Sequence, residues 1–245
     1  MNIWRQLAGT LLLSSILITP AQSQLNAGVI FFDPPLVISA TQGFNIDMLN
    51  RICSGMQQQC NIVQLNLDEV FPALDEGKID FFMGVFISPE RARKYIFSIP
   101  YMLSQGLFIT SSAKNYTSVS QLKGARVGII TEEGAAGIFH SYIRTNYPDL
   151  FTLVEYKTTQ DVINALNNQD IDAAVIHATA ANYWVQNSSG NLKNIGNAFT
   201  LGDGEAAIAL PSQRDLIRNI NVQIEKIEND GDYIEIYNNY FANSM

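Results

Sequence analysis

The sequence predicts an α/β protein built as two similar lobes, and two observations carry that reading. Strand-like and helix-like hydrophobic patterns alternate along the chain, as they do where helices pack on parallel sheets. A polar, turn-rich run, SSAKNYTSVSQLKG (111–124), interrupts the alternation, which restarts at Ala125. In each unit a strand ends where a loop and a helix start begin. Ligands of open α/β sheets favour such carboxyl ends, and the cleft between two lobes is the default binding site.

Taken in order, AGVIFF (27–32) reads as a strand. GFNIDMLNRICSGM (43–56) puts Phe44, Ile46, Met48, Leu49 and Ile52 at helical spacing. NIVQLNL (61–67) is a strand, LDEVFPALDEGKID (67–80) a short helix ended by Gly77, and FFMGVFI (81–87) a buried strand. A short helix is expected after Ser88, left by FSIPY (97–101), and MLSQGLFIT (102–110) is again a strand. The second series runs ARVGII (125–130, strand), GAAGIFHSYIRTNY (134–147, helix) and LVEY (153–156, strand). It continues with TTQDVINALNNQ (158–169, a capped helix), IDAAVI (171–176, strand) and TAANYWVQN (179–187, helix). A strand, GEAAIAL (204–210), and two helices, at 213–227 and 233–240, finish the chain.

Residues 1–23 are set apart. Arg5 is the one charge before an apolar stretch from Leu7 to Ile18, followed by Pro20 and small residues ending in Ala21-Gln22-Ser23. This pattern predicts a cleaved signal peptide, too short in its apolar part for a membrane-spanning helix, which takes about 20 residues. The formal net charge of −8 argues against a nucleic-acid binder. Two cysteines, Cys53 and Cys60, close a small loop at the end of a helical pattern. In an exported protein a disulfide is the natural reading, with free thiols the alternative. A metal site would need further ligands, and the two histidines, His140 and His177, are distant in sequence.

ISPERARKYIFSIPY (87–101) poses a local question. Ser88, Pro89 and Glu90 suit a helix start. Cations there are disfavoured by a few tenths of a kcal/mol each, yet Arg91 follows at once. A surface arginine, or a partner for Glu90 or Asp80, would explain it. So would a bound anion, because a guanidinium pairs with a planar carboxylate through two hydrogen bonds.

Several segments resemble one family. They are GFNIDMLNRIC, CSGMQQQC, GKIDFFMGVFISPERARKYIFSIPY, LKGARVGII and the run from GEAAIALPSQ to YNNYF. In that order they are similar to the amino-acid type of periplasmic solute-binding proteins, the extracellular family-3 receptors of ABC importers. The resemblance implies the two-lobed periplasmic-binding-protein fold, each lobe a mostly parallel sheet flanked by helices. Lobe 1 would comprise 24–105 and 206–245, and lobe 2 would comprise 106–205. Two hinge crossings are expected near Leu103–Leu107 and Leu201–Ala206, with closure by hinge bending. CSGMQQQC has the spacing of a disulfide in the basic-amino-acid branch.

The resemblance also implies roles. Arg91 matches the arginine that clamps the ligand α-carboxylate. Ser88 has two compatible roles, cap and ligand hydrogen bond. Gly134, Ala135 and Ala136 stand where the second lobe usually offers Gly-Thr-Thr or Gly-Ser-Ala. The hydroxyl donor is missing there, but backbone N–H groups remain for a carboxylate. Glu132 and Glu133 read as acids at a helix start. The family commonly carries an acid for the α-ammonium at the position of His177, and a neutral imidazole cannot supply that charge. His177 is either cleft-lining with changed ligand chemistry or a satisfied histidine at a strand end. Asp33 could take the cation role or cap the turn at Pro34-Pro35. Phe31, Phe32 and Phe86 are candidates for an apolar wall or for core.

The leading expectation is a non-catalytic receptor for a small carboxylate-bearing solute, delivering it to an ABC permease, monomeric and without cofactor or metal. An alternative is a periplasmic enzyme on the same fold, similar to cyclohexadienyl dehydratase, with Glu132, Glu133 or His177 as the acid. A sensor acting through a membrane partner is the third.

Overall fold

The computed structural model describes residues 24–131 and 137–241. Among them two five-stranded sheets form, one per lobe. The first lobe begins with β1 (Leu25–Ile30), α1 (Phe44–Gly55), β2 (Cys60–Leu65), α2 (Leu67–Asp75), β3 (Phe81–Phe86) and β4 (Ile96–Phe97). The second contains β5 (Gln105–Ser111), β6 (Arg126–Ile130), α3 (Ile138–Asn146), β7 (Thr152–Tyr156), α4 (Thr159–Asn167), β8 (Ala173–His177), α5 (Ala178–Asn187) and β9 (Leu192–Thr200). The chain then returns to the first lobe as β10 (Glu205–Ala209), α6 (Arg214–Asn229) and α7 (Asp232–Phe241).

Sheet order is β2-β1-β3-β10-β4 in one lobe and β7-β6-β8-β5-β9 in the other. β1 pairs parallel with β2 and β3, and β6 pairs parallel with β7 and β8. β10 runs antiparallel to both its neighbours, as does β5. The reversed strand of each sheet is therefore the one arriving from the opposite lobe.

Side-chain alternation divides each sheet between two cores. Along β8, Ala174 and Ile176 join one cluster and Ala173 and Val175 the other. Phe81 of β3 packs with Phe44, Ile46, Leu49 and Ile52 of α1, whereas Phe82 packs with Val70 and Leu74 of α2. Local chemistry agrees with these elements. The Thr158 hydroxyl caps α4 by accepting from the Asp161 N–H at 3.1 Å. Asn66 and Glu69 form a capping box on α2. On α6, Ile217, Ile220, Ile224 and Ile227 make one buried stripe.

Two elements differ from the sequence reading. The segment after Ser88 forms a 3-10 turn, Arg91–Arg93, because the chain must rejoin the sheet at Ile96. β9 is unanticipated: LKNIGNAFT is polar and mostly exposed, and it is a strand because β5 offers it a ladder. The signal-peptide segment lies outside the described residues. Among those described, no helix is long and apolar enough to cross a membrane.

Cys53 and Cys60 are joined in a disulfide that ties the last turn of α1 to the start of β2. Closing so short a loop is worth about 2–3 kcal/mol through the unfolded chain. Reduction is expected to lower the melting temperature by about 5–10 °C, and Cys53→Ala/Cys60→Ala should melt at the reduced value. Equal melting with and without reductant would show that the crosslink contributes nothing.

Candidate functional site

Ile30 ends β1, Phe86 ends β3, Ile130 ends β6 and His177 ends β8. All four line one cavity of about 90 Å³ between the lobes. A water needs roughly 10–15 Å³ of such space, so the cavity has room for several. Its walls are largely apolar, from Ile30, Phe31, Phe32, Leu36, Phe86 and Phe139 among others. Phe86 packs against both Phe139 and the His177 ring, with centroids 5.8 and 5.2 Å away. Phe32 meets Trp184 of the second lobe edge-on at 6.4 Å.

Arg91 lines this cavity. Its Nη1–H donates to the Phe86 carbonyl at 2.9 Å, and its guanidinium lies 5.2 Å from the centre of the Phe71 ring. A guanidinium held by a carbonyl and an aromatic face is oriented before any anion arrives. The Ser88 hydroxyl accepts from the Arg91 N–H at 3.3 Å, so its capping role is present. Ser88 is not among the cavity-lining residues.

Asp33 also lines the cavity. Its backbone closes a small loop with Val37 around a cis Pro34-Pro35 bond, with N–H to carbonyl distances of 2.9 and 3.0 Å. The carboxylate does not turn back on that loop. It crosses the cleft and accepts from the Thr159 hydroxyl at 3.1 Å. Burial pushes the Asp33 carboxyl up to about 6, with Glu205 adding to the rise and His177 and Thr159 opposing it.

His177 is 7% exposed and lines the cavity, so both sequence readings meet in one residue. Nδ1 lies 2.5 Å from the Thr179 hydroxyl, in the first turn of α5. Nε2 lies 2.7 Å from Oε1 of Glu205, which is 1% exposed. That contact is an ion pair by distance, and among the described residues neither Glu205 oxygen has a hydrogen-bond partner of good geometry. Burial alone would lower the His177 pKa, but the charge of Glu205, then that of Asp33, outweighs it and the net shift is upward.

The structure thus brings together Phe32, Asp33, Phe86, Arg91 and His177. Gly134, Ala135 and Ala136, with Glu132 and Glu133, lie outside the described residues. Sequence reasoning missed Glu205, Thr159, Lys157 and Asn45. For Glu205 there was a signal, a lone acid opening the otherwise apolar run EAAIAL. Among the described residues, no group of three or more His, Cys, Asp or Glu side chains is placed to hold a metal ion.

The Asp33 shift has a sign that can be checked. A carboxyl whose pKa rises on folding binds its proton more tightly in the native state. The stability it confers is complete below its ordinary pKa of 3.8 and is lost as pH climbs through about 6. Asp33→Asn keeps an acceptor for Thr159 and removes the buried charge. It is expected to gain on the wild type by a few degrees in melting temperature between pH 4 and pH 7.5. A difference that stays constant with pH would contradict this assignment.

Comparison with known proteins follows the same lines. A putative ABC transporter arginine-binding protein of Escherichia coli K12 is 28% identical over 204 residues, covering 81% of each chain. A probable histidine-binding protein of Neisseria gonorrhoeae is 26% identical over 204 residues, covering 82% of this chain and 75% of its own. The crystal structure of an arginine transport-system periplasmic binding protein from Legionella pneumophila superposes with a TM-score of 0.82 at 28% identity. It covers 89% of this chain and 99% of its own. The family model for bacterial extracellular solute-binding proteins, family 3, matches residues 32–243, and with two lobes closing on a cavity the chain belongs to that family.

Proposed function

We propose that this chain is an exported receptor that captures a small carboxylate-bearing solute, an amino acid or a relative of one, between its lobes. It then hands that solute to the membrane permease of an ABC importer. The observation that carries this reading is the cavity's chemistry. It sets the oriented Arg91 guanidinium and the Asp33 and Glu205 carboxylates among apolar rings. A zwitterion needs those two charges of opposite sign, held away from water. The names of relatives as arginine- and histidine-binding proteins point to the same ligand class.

In this reading Arg91 takes the carboxylate through two parallel hydrogen bonds, and Phe32, Phe86 and Phe139 cover the ligand's apolar part. The leader at 1–23 directs export and is removed, and the receptor works as a monomer without catalysis.

A thermal-shift screen tests this. The panel holds the proteinogenic amino acids, their deaminated and decarboxylated analogues, dipeptides and prephenate. A ligand at 100 times its Kd should stabilise the protein by about 2.7 kcal/mol. The expected result is a carboxylate-bearing hit that disappears in Arg91→Ala and weakens in Arg91→Lys, whose ammonium cannot form the paired bonds. A hit indifferent to Arg91 would remove the carboxylate clamp from the reading. Turnover of prephenate would replace the receptor with an enzyme.

A further inference from the structure

The receptor reading counts Glu205 among the cavity's negative charges but does not say which of the two acids, Asp33 or Glu205, meets the ligand's ammonium group. The Glu205 backbone is fixed from both sides: its N–H donates to the Met102 carbonyl and its carbonyl accepts from the Tyr101 N–H, each at 2.9 Å. Its side chain is 1% exposed, lines the cavity, and among the described residues has no donor of good geometry on either oxygen. The two hydroxyls whose protons stay on nearby are committed elsewhere. Tyr101 donates to Oδ1 of Asn45 at 3.1 Å, and Tyr233 donates to the Tyr101 carbonyl at 2.7 Å. A buried carboxylate left in this condition is costly unless a cation meets it.

The cation at hand is the His177 ring at 2.7 Å. Among the described residues, the groups facing that ring are Glu205, Asp33, Thr179 and the Phe86 ring. Among the described lining residues, the other charges are Arg91, which donates to the Phe86 carbonyl, and Lys157, 3.3 Å from Asp68. An ammonium arriving at Glu205 would therefore compete with protonated His177 for one carboxylate, and two cations beside one buried acid repel.

Resting on the receptor reading, we propose that Glu205 is the subsite for the ligand's ammonium group, and that this ammonium replaces the proton His177 carries in the ligand-free protein. Binding then releases a proton. The ammonium keeps its three hydrogens and donates to the Glu205 carboxylate, while imidazolium becomes imidazole and its proton passes to water. The upward shift at His177 exists because Glu205 and Asp33 outweigh burial. Once the ammonium neutralises Glu205, burial dominates and the ring gives up its proton. The charge that the amino-acid receptors carry at position 177 is supplied here from the returning strand.

The test is calorimetric titration of the mature protein in buffers of different ionisation heat, from pH 6.5 to 8.5. The first probe is L-arginine, against 5-guanidinopentanoate, which lacks the α-ammonium. Any other amino acid that binds is paired with its own deaminated carboxylate. Asp33→Asn runs alongside so that Asp33 does not contribute protons. The expected release is measurable at the acid end and falls as pH rises, because His177 holds less of its proton in the ligand-free protein there. His177→Gln should bind with no proton release. Glu205→Gln should lose about tenfold or more in affinity for the amino acid and bind the deaminated carboxylate as the wild type does. Proton release that persists in His177→Gln would overturn the proposal. So would Glu205→Gln binding the amino acid at wild-type affinity, or wild-type protein binding only deaminated carboxylates. The receptor reading would survive all three outcomes. If Glu205→Gln does not fold, the proton counts of wild type and His177→Gln decide. Binding of none of these compounds would end both readings.

Discussion

Two crossings of the chain between lobes constrain everything else in this structure. Each delivers a strand into a sheet whose other members run the opposite way, so β5 and β10 are antiparallel to every neighbour. Their connections are bonded to each other, through Leu201 N–H to the Ser104 carbonyl at 2.8 Å and Glu205 N–H to the Met102 carbonyl at 2.9 Å. The turn into β10 needs Gly204, whose φ of +113° suits glycine, and where a Cβ would lie 2.7 Å from the Pro100 side chain. Bulges occur in both reversed strands, at Ala206/Ala207 and at Gly106/Phe108. Register then does the positioning. Glu205 is set opposite Phe86, and His177 opposite Gly106. The crossing thus places an acid of the first lobe against a histidine of the second.

The contact between the lobes holds charge out of water, and that links geometry to protonation. Polar side-chain contacts between lobes include Asp33 to Thr159, Glu205 to His177 and the more exposed Lys157 to Asp68. The last of these, with Lys157 largely in solvent, contributes little. The first two lie within the cavity wall, where burial raises Asp33 and the neighbouring acids raise His177. The Phe32–Trp184 and Phe86–Phe139 contacts keep water away from these groups and so strengthen every charge effect inside. Within the first lobe, Arg91 donates to the Phe86 carbonyl and lies against the Phe71 ring.

Much of this was legible in the residues themselves. Helical spacing in FNIDMLNRIC, the cap at Thr158, the apolar runs of β3 and β8 and the restart at Ala125 are local signals, and each appears as an element of the structure. Arg91 could be singled out because a cation at a helix start is locally unfavourable. Cys53 and Cys60 could be paired because they are close in sequence. The strand β9 was not legible, since its polar residues form a strand only where β5 supplies hydrogen bonds.

The sequence by itself determined the α/β class, the two-unit organisation and some of the charged residues of the cleft, Asp33, Arg91 and His177 among them, because hydrophobic period and residue chemistry are local properties. Tertiary structure alone decided which of those residues meet. Asp33 and Thr159 lie 126 positions apart and share a hydrogen bond. Glu205 reads as the first residue of an apolar strand until the crossing turns it onto His177. Contacts between residues so distant follow from how strands are ordered and which way they run, and that order is settled by packing two sheets and closing two lobes.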